Sequence, residues 1–344
     1  MSHEFDSGMF TTQKAWHGLG NVLDAAPRTT AEAITAAGMN WQVLEQPLLT
    51  CSDAEALETL EDWKVLKRSD NGTVLHVCPK TWTPVQNAEA FNFFDPIIQD
   101  GDVTIDAAVS LREGKRIAIT AKVKDGIGEV LPGDEVEQYL VLYNAHDGSL
   151  SLGIMFSSIR VVCANTLNWA ISDRKRKGGY AKFAQGDDVA LTKKMVRLRH
   201  TKNIHSNLNI ARDAINISRR QFDLTLEQYR TMAKTPMNTE LFRQYLTNIF
   251  APDLGAGTKN ERSVTQWRNY EQLEENFESG VGMDIKGVQG TVWAGYQAVT
   301  EFVTHQRGSG KDEIEAARNR LNQTWFGTGS KIIETAHREA LAMV

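Results

Sequence analysis

Between Ile171 and Lys202 the chain places ten bases, Arg174, Lys175, Arg176, Lys177, Lys182, Lys193, Lys194, Arg197, Arg199 and Lys202, against three acids, Asp173, Asp187 and Asp188. The local charge is +7 on a chain whose formal net charge is −5, so the remainder carries −12. A confined cationic strip on an otherwise repelling surface suits a polyanion held in one groove, and argues against a protein that coats duplex DNA indiscriminately. Single-stranded nucleic acid is held by cations that meet phosphates and by flat side chains that meet bases. Trp169, Tyr180 and Phe183 interleave with these cations, and Asn165 and Asn168 supply amides for phosphate or base edges. The nucleic-acid-binding set read from the sequence is therefore Arg160, Asn165, Asn168, Arg174, Lys175, Arg176, Lys177, Tyr180, Lys182, Lys193, Arg197 and Arg199. A solvated loop followed by a Lys-rich helix face would account for the charge equally well, and Trp169 alone reads as helix core. Arg160 differs, because a guanidinium among apolar strand residues requires either a buried carboxylate or an anionic ligand.

Other chemistry is sparsely signalled. Gly308-Ser-Gly-Lys311 lacks the spacing of a phosphate-binding loop, follows no strand pattern and offers no Ser or Thr for magnesium. Gly18-x-Gly20 precedes no good helix, so a dinucleotide fold is equally weak. None of the eight histidines pairs at metal spacing; His200 and His205 are five apart, roughly 500° around a helix. His17, beside Trp16 and Gly18, reads as a packed arm. Cys51, Cys78 and Cys163 are far apart, which leads us to expect reduced, buried thiols in a cytoplasmic protein. No metal, no cofactor and no catalytic residue is nominated. A nuclease or transferase would need Asp102, Asp106 and Glu137 to converge.

The elements that must position the strip follow from turn signals and periodicity. At 344 residues, 41% hydrophobic and 24% charged, the chain is ordinary for a globular protein. Thr29 or Thr30 caps a short helix that Gly38 stops. Three hairpins follow, turning at Asp70-Asn-Gly72, Glu113-Gly114 and Asp147-Gly148, with a short helix at residues 87–98 ended by Asp95-Pro96. The third hairpin is apolar on both faces and should be central in its sheet. Asn165 is expected to cap a helix, and from about Asp187 the period turns helical, with Ile204, Leu208, Ala211, Ile215 and Phe222 forming one stripe. Helices continue from Pro236 to Pro252 and through the segments bearing Trp293, Tyr296, Val299, Phe302, Trp325 and Phe326. The fold class is α+β: an N-terminal antiparallel hairpin-rich sheet with short helices over 1–186, then a mainly helical region over 187–344 packed on it, with a loop near 251–263. The start of the chain carries no secretory pattern and no apolar run spans a membrane.

Three strings, "AWHGLGNVL", "YNAHDGSLSLGIMFSSIRVVCANTLNWAI" and "GTVWAGYQAVTEFVTHQ", resemble the phage/plasmid-like protein family that carries domain of unknown function 932. The resemblance spans nearly the whole chain and implies a gene of mobile elements, but brings no settled activity or site. In outline the pattern is also similar to phage single-strand annealing proteins, a likeness of fold alone. The expectation is a non-catalytic homo-oligomer that binds single-stranded DNA and promotes annealing in phage or plasmid recombination or replication. The alternative is a phage-encoded counter-defence factor that binds a host protein, with Glu271, Glu274, Glu275 and Glu278 imitating nucleic-acid charge. Neither reading involves a membrane.

Overall fold

The structure is a computed structural model that describes residues 5–11, 20–51, 57–162, 165–168, 189–191, 195–198, 208–254, 264–308, 316, 319–320, 323–325 and 327–344. In chain order, β1 (Phe5–Thr11) and β2 (Asn21–Leu23) precede α1 (Thr30–Ala36). The Thr29 hydroxyl accepts from the Glu32 amide at 3.2 Å, and Gly38 takes a positive φ of 69° just beyond the helix, the cap and stop expected from sequence. Strands β3 (Val43–Cys51), β4 (Leu57–Arg68) and β5 (Val74–Pro79) form an antiparallel three-stranded sheet in that order.

Two short helices, α2 (Asn87–Ala90) and α3 (Asp95–Gln99), flank a 3₁₀ turn at Asn92–Phe94. Asp95-Pro96 thus opens a helix instead of closing one: proline suits the first helical turn, where its missing N–H costs nothing. The Asp95 carboxylate also accepts from the Thr30 amide at 2.7 Å, which ties α3 to the start of α1.

The larger sheet is built from β6 (Val103–Leu111), β7 (Arg116–Leu131), β8 (Asp134–Ala145) and β9 (Leu152–Arg160). Arg112, Glu113 and Gly114 all turn with positive φ between β6 and β7. A Cβ on Gly114 would lie 2.7 Å from the Trp41 ring, so glycine is needed there for space as well as conformation. The β8–β9 hairpin is central, as its apolar faces suggest. The full order is β11-β12-β9-β8-β7-β6-β1-β2, with β10 (Asn165–Asn168) also on β9, and β11 (Val189–Leu191) and β12 (Met195–Leu198) closing the far side.

These last three strands correct the sequence reading. Asn165 starts a strand, not a helix; Asn165 pairs with Arg160 and Thr166 with Ile159. The expected helix from Asp187 is a two-stranded extension, with Arg197 opposite Gly153 on one side and Ala190 on the other. Met195-Val-Arg-Leu198 finds a waiting edge of β9 and Val189-Ala-Leu191 pairs in turn with β12, and these ladder hydrogen bonds override a helical pattern that belongs only to the chain beyond. Helix α4 begins at Leu208 and runs to Lys234. After it come α5 (Thr239–Leu254), which continues past Pro252, α6 (Val264–Ser279), α7 (Val292–Glu301) with a π turn at Phe302–Gln306, and α8 (Thr328–Leu341).

Two compact units divide the chain without following its order. One takes the described residues up to Lys124, then Leu140–Met155 and the strands β11 and β12. Its core includes Met9, Phe10, Ile34, Phe91, Phe94, Ile105, Val109, Ile119, Leu140 and Ile154. The other takes Asp125–Tyr139, β9 from Phe156, β10, and the chain from Ile217 onward. There Tyr229, Phe242, Leu246, Leu273, Trp293, Tyr296, Val299 and Ile333 form one apolar cluster with Val130 and Val136. Each such side chain contributes about 1.5–3 kcal/mol on burial, and α7 is buried along its whole length, its Gln297, Thr300 and Glu301 included. Trp325 is buried as expected; Phe326 lies outside the described residues.

Candidate functional site

Arg160 ends β9 and Asp134 begins β8, and the antiparallel register brings them side by side: the Val161 amide donates to the Glu135 carbonyl at 2.9 Å. Both side chains are wholly buried within the second unit. Arg160 Nε donates to Asp134 Oδ1 at 2.6 Å and one terminal nitrogen donates to Oδ2 at 2.8 Å, a fork-to-fork pair. The same guanidinium donates to the Val281 and Gly282 carbonyls, each at 3.2 Å. Trp293 Nε1 donates to Asp134 Oδ2 at 2.8 Å, and the Arg160 guanidinium lies 5.7 Å from the Trp293 ring centre.

The turn after α6 is shaped around this pair. Gly282 has a φ of 79°, and a Cβ there would come within 2.8 Å of Val162 and 3.0 Å of the Arg160 guanidinium. Glu301, nearly buried at the end of α7, accepts from the Val281 amide at 3.2 Å. Burial pushes its carboxyl above the usual range, against the opposing pull of the Val281 hydrogen bond and of Arg160. Four of the five Arg160 N–H groups are bonded to protein, and its charge is met by Asp134. This node joins β8, β9, the turn at 280–282 and α7; it does not present a cation to a ligand.

Arg160 is therefore withdrawn from the nucleic-acid set: the carboxylate, not an anionic ligand, is what its position demanded. A second buried guanidinium, in the first unit, has the same character. Arg68 bonds Asp6 at 2.7 Å and Asp70 at 2.7 and 3.0 Å, and lies 4.5 Å above the Trp41 ring. The Arg68 hydrogen bond holds the Asp70 carboxyl below its ordinary range.

Of the remaining expected residues, Asn165 and Asn168 lie on β10, opposite Arg160 and Ser158, and Arg197 lies on β12. Arg174, Lys175, Arg176, Lys177, Tyr180, Lys182, Lys193 and Arg199, with Trp169, Phe183 and His17, lie outside the described residues. Strand β10 pairs with the end of β9 that lies in the second unit, and β12 with the start of β9 that lies in the first.

Among the described residues no three His, Cys, Asp or Glu side chains converge to hold a metal ion, Asp102, Asp106 and Glu137 included. Cys78 is buried and burial pushes its thiol up, whereas Cys51 is exposed, contrary to expectation. No helix among the described residues is long and apolar enough to cross a membrane. Asp134 and Glu301 carried no signal in sequence beyond the requirement that Arg160 find a carboxylate. The facing ends of the β8–β9 hairpin would have located the first; nothing local marked the second.

With this geometry in place, the comparison with known families is specific. The pattern described as Domain of unknown function (DUF932) matches residues 74–180 and 186–325, which include Asp134, Arg160, Gly282 and Trp293. The chain belongs to that family. No curated protein and no solved structure matches it.

Proposed function

We propose that the chain is a non-catalytic protein that binds single-stranded DNA and promotes annealing in a phage or plasmid recombination or replication system, within the bacterial cytoplasm. The observation that carries this reading is the +7 segment on a chain of −5. Asn165 and Asn168 belong to β10 and Arg197 to β12. Arg174, Lys175, Arg176, Lys177, Lys182, Lys193 and Arg199 would neutralise phosphates, and Tyr180 would stack on a base. Backbone held by cations leaves base edges free to pair, so strand pairing itself drives annealing and no hydrolysis is required. The test is fluorescence anisotropy of a labelled single strand across a salt series, with duplex as competitor. At about 0.7 logarithmic units of affinity per phosphate contact per tenfold salt, four contacts give a slope near −3. A flat salt response, or preference for duplex, contradicts the reading.

One observation favours a second reading. Glu271, Glu275 and Glu278 are exposed along α6, while Glu274 pairs with Arg243 at 2.7 Å. An acidic helix face could imitate a nucleic-acid backbone for a DNA-binding host protein. Retention of such a protein on immobilised chain, lost when these glutamates become lysines, would support that reading.

A further inference from the structure

The turn between β4 and β5 holds the chain's only Asn-Gly step, Asn71-Gly72. An asparagine side chain and the backbone nitrogen that follows it are one ring closure apart: attack of that nitrogen on Cγ gives a five-membered cyclic imide. A side chain on the following residue shields the nitrogen, and glycine has none. Asn71 and Gly72 are both exposed, and a Cβ built on Gly72 would meet nothing within 4 Å, so solvent reaches both reacting groups.

The turn also presents the Asn71 amide for attack. The Thr73 N–H donates to Asn71 Oδ1 at 3.0 Å, which folds the side chain back along the two residues that follow it. A donor on that oxygen draws electrons from Cγ and stabilises the negative charge that grows on the oxygen as the ring closes. One interaction opposes the reaction: the Gly72 N–H donates to the Arg68 carbonyl at 3.2 Å and must leave it before the nitrogen attacks. This is a single bond at an exposed loop tip, where backbone opening costs least.

We propose that Asn71 is a site of spontaneous deamidation, and that its isoaspartyl product loosens the loop that carries Asp70 to Arg68. The Gly72 nitrogen bonds Asn71 Cγ and gives up its proton, and the side-chain nitrogen takes a proton and leaves as ammonia. One water then adds to either carbonyl of the imide and breaks that carbonyl's bond to nitrogen. Opening at the Asn71 backbone carbonyl leaves the chain running through Cγ, the isoaspartyl form; opening at Cγ leaves an ordinary aspartate. Nothing is oxidised or reduced, and solvent water is the one co-reactant. Either product adds a negative charge beside Asp70. The isoaspartyl form also puts an additional carbon into the backbone of a loop closed by Gly72 N on Arg68 O at 3.2 Å and Arg68 N on Thr73 O at 3.0 Å. That loop holds Asp70 on Arg68 at 2.7 and 3.0 Å. The lengthened loop does not keep both closures, so Asp70 is released while Asp6 retains Arg68. The inference stands apart from nucleic-acid binding, because no residue of the basic segment takes part.

The test is mass-spectrometric peptide mapping of the full chain, kept folded in heavy-oxygen water at about pH 8 and sampled over days. Trypsin cuts after Arg68 and Lys80 and so isolates residues 69–80. Exchange of the side-chain nitrogen for a labelled oxygen adds about 3 Da to that peptide, and radical-driven fragmentation tells isoaspartyl from aspartyl. The expected result is labelling of residues 69–80 at least about tenfold faster than of every other asparagine-bearing peptide, and no more than about threefold slower than in a synthetic peptide of the same residues. Asn71→Gln should abolish it. Hydrogen exchange over residues 69–80 should be faster in the isoaspartyl fraction than in fresh protein. Absence of label, conversion more than about threefold slower than in the free peptide, or equal hydrogen exchange in the two fractions would overturn the proposal.

Discussion

Replacing Asp134 with Asn keeps the shape of the buried node and removes its charge. Asp134 accepts three hydrogen bonds, two from Arg160 and one from Trp293. An asparagine retains one acceptor oxygen and turns an NH₂ toward donors that need an acceptor. Arg160, wholly buried, is then an unneutralised cation supported only by the Val281 and Gly282 carbonyls. Removing one partner of a buried pair costs about 3–5 kcal/mol, a large share of the roughly 5–15 kcal/mol that holds a typical domain. In urea this should lower the midpoint of the transition reported by tryptophan fluorescence by about 1–2 M. The double substitution Asp134→Leu with Arg160→Met removes both charges and should be more stable than the single variant, because the desolvation cost goes with the attraction, while the Trp293 N–H and the Val281 and Gly282 carbonyls, which lose these partners, keep it below the parent. The folded double variant should also bind single-stranded DNA as the parent does. A loss below about 1 kcal/mol in the single variant, or a double variant no more stable than the single, would refute the assignment of this pair as the structural node.

Two further outcomes follow from ionisation. Glu301 has a raised carboxyl value, so its contribution to stability is full below the ordinary carboxylate range and is lost as pH rises through the folded value. Glu301→Gln, which can still accept from the Val281 amide, should match the parent at low pH and exceed it in urea midpoint near pH 8; equal midpoints throughout would show that burial does not disfavour the charged form. Asp70 is lowered by Arg68, so its contribution is present above the ordinary value and is lost as pH falls through the folded one. Because Asp70 is partly exposed and Arg68 keeps Asp6, Asp70→Asn should cost less than about 1 kcal/mol near pH 7 and reduce the acid dependence of the midpoint.

The parts of the fold legible in the sequence are those governed by local chemistry. Asp-Asn-Gly, Glu-Gly and Asp-Gly turns demand φ values that few residues accept, and Thr29 and Gly38 bound α1 through hydrogen bonds and backbone freedom that lie within a few residues. Strands β10, β11 and β12 were not legible as strands, because what holds them is pairing, of β10 and β12 with β9 and of β11 with β12, which is silent in local periodicity. Strand β1 was missed for a related reason: Phe5-Asp-Ser-Gly-Met-Phe-Thr11 has poor strand propensity, and it is fixed by pairing with β6. At the candidate site, the need of Arg160 for a counter-charge was readable from its apolar neighbours. That a carboxylate supplies it depends on the register of β8 against β9. The charge of residues 171–202 is a property of the sequence itself.

The most direct test of the proposed function is binding of a labelled single-stranded oligonucleotide, at low salt, to a variant in which Arg174, Lys175, Arg176 and Lys177 are all replaced by glutamate, with circular dichroism and urea midpoint as controls on the fold. Loss of binding by at least about a hundredfold in a chain that remains folded, with a flatter salt dependence, is the result expected if these cations hold the phosphates. Unchanged affinity in the folded variant would contradict it and leave the basic segment as a solvated surface.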